Sequence, residues 1–198
     1  TPDNAEAHFR LAGTLAALGR LGEAIVAYRA ALRIQPGHFA AWSALLFNIN
    51  YLGDEPVARM VAEAKAYGEA VAARLPARTD HPNDRDPGRR LRVGLVSADL
   101  HSHPVGRFLE HTLTALDKSE VELFAYATAI YEDDMTARLK RSVAHWRDAS
   151  GLDDDALDRR IRADAIDILV DLSGHSADNR LQVFARRPAP VAFTWLGY

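Results

Sequence analysis

From about residue 91 onward, short apolar runs alternate with segments of helical periodicity, and the links between them are too short for anything but βαβ units. Strands are read at residues 91–97, 121–127, 146–148, 166–172 and 191–195. Helices are read between them at residues 104–116, 133–143, 153–162 and 179–185. Alternation of this kind dictates a parallel sheet with helices on both faces. The runs Val93–Val96 and Ile166–Val170 are apolar on both parities, as strands covered on both faces should be. Gly94 inside the first run marks a place where another backbone approaches closely.

The first 75 residues follow a different rhythm. Phe9, Leu11, Ala12, Leu15 and Leu18 recur at helical spacing, Gly19 and Gly22 punctuate a turn, and Ala24, Ile25, Tyr28, Ala31 and Leu32 form a second stripe closed by Pro36. Small residues where two helices touch, with proline at the exit, fit the tetratricopeptide repeat. A second copy starts near His38, with Trp42, Leu45, Gly53 and Ala58 in matching places. It then drifts into a helix through Val61, Ala64, Tyr67, Val71 and Leu75. This reads as the end of a repeat array, where an atypical repeat caps the stack. The division expected is therefore 1–75 repeat helices, 76–90 a linker rich in proline and charge, and 91–198 an α/β lobe. The whole segment from Asn4 to about Leu75 should be helical, with the first strand of the chain beginning within a few residues of Leu91. Both ends fall inside recognisable patterns, so the chain is expected to be a piece of a larger protein.

Composition narrows the function classes. A net charge of −3 offers no electrostatic case for nucleic acid or an anionic membrane. The absence of cysteine removes disulfides and thiolate metal sites and suits a cytoplasmic compartment. No apolar run approaches the roughly 20 residues that a membrane span needs.

Chemistry-bearing residues gather at two strand ends. After the first strand come Ser97, Asp99, His101, Ser102 and His103, then Pro104 in the favoured first position of a helix. His103 would cap that helix, where the dipole favours an anionic ligand and a neutral imidazole. It suits a general base or a substrate contact, and equally a plain capping histidine. Asp99, His101 and His103 alternate, which leaves a metal site open. A turn role for the Asp99 carboxylate accounts for it as well. After the fourth strand come Asp171, Ser173, Gly174, His175, Ser176, Asn179 and Arg180. Asp171 suits a strand-end hydrogen bonder, Asn179 an N-cap, and Arg180 either a surface cation or a phosphate contact. If the two strands are neighbours, His103 and His175 share one crevice. No glycine fingerprint for a nucleotide cofactor is present.

The blocks RLRVGLVSADLHSHPVGRFLE, IDILVDLSGHSADNRL and FARRPAPVAFTWLGY resemble the bacterial branch of the O-linked N-acetylglucosamine transferases. The resemblance implies tetratricopeptide repeats joined to the first, Rossmann-like lobe of a GT-B glycosyltransferase. It implies inverting transfer of N-acetylglucosamine from UDP-GlcNAc to Ser or Thr hydroxyls of an acceptor protein or peptide, with no metal and no other cofactor. It places His103 in the cleft as base or substrate contact. It puts Gly174, His175 and Tyr198 near it, and the reading of the residues themselves adds Asp99, Pro104, Asn179 and Arg180 to the same cleft. Most nucleotide contacts would come from a second lobe beyond Tyr198, so residues 1–198 alone are expected to be inactive. Two other readings stand beside this one: a non-catalytic peptide-binding repeat module, and a related transferase using another sugar donor.

Overall fold

The computed structural model describes residues 3–53 and 55–197, and the chain divides into two compact units, Thr1–Pro76 and Ala77–Tyr198.

Among its described residues the first unit holds four helices: α1 (Ala5–Ala17), α2 (Leu21–Ile34), α3 (Phe39–Ile49) and α4 (Val57–Ala72). No strand occurs among its described residues; turns separate the helices. Asn4 caps α1 by accepting the Ala7 N–H at 3.0 Å. Gly19 takes φ +74°, which an L side chain resists, and so turns α1 into α2. The two stripes expected from the sequence then meet: Ala12, Ala24 and Ala31 are fully buried, with Ile25, Tyr28, Leu45 and Ile49 around them. Pro36 ends the hairpin, and its carbonyl accepts the Trp42 indole N–H at 2.9 Å.

The second unit is a five-stranded sheet in the order β3-β2-β1-β4-β5, every pair parallel. Its strands are β1 (Leu91–Ser97), β2 (Val121–Ala127), β3 (His145–Asp148), β4 (Ile168–Asp171) and β5 (Val191–Thr194). Its helices are α5 (Pro104–Ala115), α6 (Asp134–Ser142), α7 (Asp154–Ala163) and α8 (Leu181–Ala185). The alternation of side chains along β1 splits the core in two. Leu95 joins Leu109, Leu113, Leu123 and Leu139 on the α5 and α6 face. Val96 joins Tyr126, Leu157, Ile161 and Leu169 on the other. Gly94 admits neighbouring side chains rather than the backbone expected from the sequence. A Cβ there would stand 2.9 Å from the Leu169 Cδ1 and 3.1 Å from Ile166 and Tyr126.

Residues 77–90 form no helix or strand, yet they are bound to this unit. Asp167, at the amino end of β4, accepts both terminal nitrogens of Arg89 (2.7 and 2.6 Å), the Arg92 N–H (2.8 Å) and the Asn83 amide (2.8 Å). Burial pushes the Asp167 carboxyl up, but Arg89, the Arg92 N–H and Asn83 together hold it below its ordinary value. The segment is thus a strap across the amino-terminal edge of the sheet. It also borders a cavity of about 740 Å³ beside Asp80, Asn83, Asp167 and Val191.

Candidate functional site

The site is set by topology. From β1 the chain crosses through α5 to β2 on one side; from β4 it crosses through α8 to β5 on the other. Between β1 and β4 the winding reverses. Loops leaving the carboxyl ends of two such strands part and open a crevice, the customary ligand position of open α/β sheets. The two strands condition that the sequence left open is met: β1 and β4 pair directly, from Val93 with Ile168 to Val96 with Asp171.

The loop after β1 is built around two constraints. Ser97 is buried and accepts the Asp99 N–H at 2.9 Å, which turns the chain out of the strand. Gly106 then lets the first turn of α5 close on that loop, since a Cβ there would lie 2.2 Å from the His101 carbonyl oxygen. Asp133, the N-cap of α6, reaches the same loop and accepts the Ser102 N–H at 2.7 Å. The N–H groups of Thr136 and Ser102 hold its carboxyl below the usual range. His101 stacks on Tyr131, with ring centres 3.7 Å apart and planes 19° apart.

His103 is the N-cap of α5, with Pro104 in the first helical position as the sequence led us to expect. Its Nδ1 accepts the Val105 N–H at 3.3 Å. A nitrogen that accepts cannot carry a proton, so in this geometry the ring hydrogen sits on Nε2 and that atom is a donor. Asp99 Oδ1 lies 3.9 Å from His103 Nδ1 and 3.9 Å from His101 Nε2. Among the described residues no three His, Cys, Asp or Glu side chains form a group able to hold a metal ion.

The loop after β4 is folded by Asp171. This buried carboxylate accepts the Ser173 and Gly174 N–H groups (3.1 and 3.0 Å) and the Thr194 hydroxyl (2.8 Å). Gly174 has φ +56°. Ser97 Oγ and Ser173 Oγ, 3.3 Å apart, join the two loops at their base. The Thr128 hydroxyl, beyond β2, donates to the Asp178 carbonyl at 3.0 Å, so the β4 loop reaches across the sheet edge. Burial pushes the His175 imidazole below its ordinary value, against the pull of Asp171. The residues after β5 close on this loop: the Trp195 N–H donates to the Asp171 carbonyl at 2.8 Å. A Cβ on Gly197 would lie 2.4 Å from the Gly174 nitrogen. Tyr198 lies outside the described residues.

Asp99, His103, Gly174 and His175 therefore sit on the two loops that flank the β1–β4 junction, with Pro104 at the start of α5 directly after the first of them. Asn179 and Arg180 are differently engaged. α8 begins at Leu181 with Arg180 in the capping position and without a cap bond of its own, while Asn179, one residue earlier, accepts the Leu181 N–H through Oδ1 at 3.4 Å and so serves the helix start from just outside it. Its amide donates to the Ser176 carbonyl at 2.8 Å. Arg180 is paired with Asp154 of α7 at 3.1 Å. Sequence reasoning missed Gly106, Thr128, Asp133 and Gly197, which shape the site. The only available signal was the glycines' position beside the two motifs.

A doubly wound lobe with a histidine at its switch point, preceded in the chain by a helical repeat hairpin, is the build of the first half of a GT-B glycosyltransferase. Residues 69–198 match glycosyl transferase family 41 and residues 5–38 the tetratricopeptide repeat, and the chain belongs to glycosyl transferase family 41. A tomato (Solanum lycopersicum) relative named as a probable UDP-N-acetylglucosamine–peptide N-acetylglucosaminyltransferase, SPINDLY, is 33% identical over 84% of this chain and 18% of its own length. The Caenorhabditis elegans UDP-N-acetylglucosamine–peptide N-acetylglucosaminyltransferase is 34% identical over 56% of this chain and 10% of its own. A solved structure of a mutant O-GlcNAc transferase from Thermobaculum terrenum superposes with a TM-score of 0.89 at 38% identity. It covers 99% of this chain and 38% of that one. The chain thus spans under a fifth of the length of these two curated relatives and about two fifths of the solved chain.

Proposed function

We propose that this chain contributes the repeat end and first lobe of an inverting transferase that moves N-acetylglucosamine from UDP-GlcNAc to Ser or Thr hydroxyls of proteins. Family membership supports the reaction class. The observation that carries the site is the histidine-capped N-terminus of α5 at the β1–β4 switch point. Inversion needs in-line attack by the acceptor oxygen on the anomeric carbon while the UDP oxygen departs with the bonding pair. Fixed dipoles such as the α5 N-terminus stabilise the developing negative charge without reorganisation, so the scheme does not formally require a metal.

In this scheme His103 contacts substrate as an Nε2–H donor in its capped state, and Asp171 and Gly174 shape the opposite wall. The donor's nucleotide is held mainly by the second lobe that the family resemblance implies. The acceptor is a protein or peptide, with no role for nucleic acid or membrane, and the setting is cytoplasmic. No helix among the described residues is long and apolar enough to cross a membrane.

The test is transfer of labelled sugar from UDP-GlcNAc to an acceptor protein by the full-length protein, with a second sugar nucleotide run in parallel. His103→Ala should lower turnover by about 10²-fold or more if the imidazole acts on the reacting groups. His103→Asn separates that effect from capping, because asparagine is itself a good N-cap. Normal turnover in His103→Ala would reduce the residue to a helix cap. A fall in apparent affinity with turnover intact would make it a binding contact only.

A further inference from the structure

Asp99 is the unexplained group of this site. Its side chain is only 20% exposed, and among the described residues its carboxylate accepts no hydrogen bond. A partly shielded carboxylate of this kind keeps some contact with water and gains a charge-assisted bond from any N–H donor brought to it. Here the two nitrogens placed against Oδ1 are His103 Nδ1 and His101 Nε2, each at 3.9 Å. The backbone beneath is fixed by the Ser97 hydroxyl, and His101 is pinned by Tyr131. The histidine less constrained is His103, whose cap bond of 3.3 Å is long for an N–H donor.

His103 Nδ1 therefore has two mutually exclusive partners. With a lone pair it accepts from the Val105 N–H. With a hydrogen it donates to Asp99, in a charge-assisted bond stronger than the neutral cap. We propose that Asp99 is a positioning residue that converts His103 from a donor into a proton acceptor, an assignment that rests on the transferase reading above. In the converted state Nδ1–H points to Asp99 and the Nε2 lone pair is free. During transfer the acceptor hydroxyl proton passes to Nε2. The oxygen's electron pair forms the new bond to the anomeric carbon. The bond from that carbon to the phosphate oxygen breaks, with its pair leaving on UDP. The imidazolium then rests against Asp99 until it returns a proton to solvent.

Nitrogen-15 spectra of histidine-labelled chain, residues 1–198, report the two tautomers directly. The wild type should show His103 exchanging between Nε2–H and Nδ1–H forms. Asp99→Asn should collapse it to Nε2–H alone, because the new amide can donate to Nδ1. In the full-length protein the same variant should lose about 10²-fold in turnover, the lower end of what acid–base catalysis contributes, with both KM values within about twofold. Asp99→Glu, which restores the charge, should recover part of both signals and guards against a variant that does not fold. Unchanged tautomers in Asp99→Asn overturn the proposal whether or not turnover falls. Unchanged turnover in a variant whose tautomers do shift overturns it too. If the wild-type full-length protein transfers no sugar, the transferase reading fails by itself, and the spectra still decide whether Asp99 controls His103.

Discussion

Gly106→Ala tests whether the chemistry at the sheet edge depends on one absent methyl group. The added Cβ would sit 2.2 Å from the His101 carbonyl oxygen, a separation that real Cβ atoms do not adopt, and 3.3 Å from the Met135 Cγ. That oxygen belongs to the backbone, so no side chain can swing away. Loop and helix must part by about 0.8 Å or more, and His103 lies between the two. Overpacking a well-filled site costs about 1–3 kcal/mol. Misplacing a catalytic group by about 1 Å costs about 10²-fold in rate. Gly68→Ala is the control. It makes the same change in the exposed middle of α4, where nothing lies within 4 Å of the new Cβ. There alanine should stabilise by about 0.5–1 kcal/mol. Urea unfolding with single-tryptophan versions, Trp42 for the first unit and Trp146 for the second, reads each effect in its own unit. Opposite signs are expected, with a turnover loss only for Gly106→Ala. A Gly106→Ala protein as stable and as active as wild type would refute the claim that close approach of α5 builds the loop.

Asp167→Asn should release the strap at residues 83–89, seen as faster hydrogen exchange at Arg92 and a lower urea midpoint for the second unit. Because its folded pKa is depressed, the stabilisation by Asp167 is present above the unfolded value near 3.9 and is lost as pH falls through the folded one. His175 acts at milder pH. Its folded pKa is lowered, so below about 6.5 the unfolded state binds the extra proton and stability falls as pH drops. His175→Gln should flatten that part of the urea midpoint–pH curve, and an unaltered curve would show the burial to be inconsequential. If the donor nucleotide is held mainly outside this chain, calorimetry of residues 1–198 with UDP should give no tight saturable binding, and a well-defined isotherm would refute that division of labour.

Sheet and helices were legible because their signals are local. The parity of Val93–Val96, the Pro104 at a helix start and the Ala12–Ala24–Ala31 contact are all written within one element or between adjacent ones. Boundaries shifted by a residue or two. The strand read over 166–172 shortens to Ile168–Asp171, although the Asp167 N–H still donates to the Arg92 carbonyl at 2.9 Å and the Leu172 N–H to the Val96 carbonyl at 3.1 Å, so ladder bonds continue one residue past each end. The helix read from Asn179 starts at Leu181, with Asn179 just outside it, its amide donating to the Ser176 carbonyl and its Oδ1 accepting the Leu181 N–H. The linker composition at 76–90 is real, but composition reports only that the segment is polar. It cannot report that the Asp167 carboxylate, 78 residues after Arg89, takes both terminal nitrogens of that guanidinium, since such pairing is a property of the folded sheet edge.

The same limit explains what was and was not visible at the site. That His103 would cap a helix followed from His-Pro and the dipole argument, both local. That the cap consumes Nδ1, and so decides which nitrogen faces substrate, needed the 3.3 Å contact to Val105. A histidine at a helix N-terminus is pulled two ways. The N–H groups of the helix want an acceptor at Nδ1, while a base needs its lone pair at Nε2. One neutral ring cannot serve both. A fold that uses such a histidine as a base must supply a second partner for Nδ1, and one that uses it as a donor needs none. The uncommitted Asp99 carboxylate beside that atom is the feature that favours the first arrangement, and its hydroxyl-fixed backbone keeps it within reach.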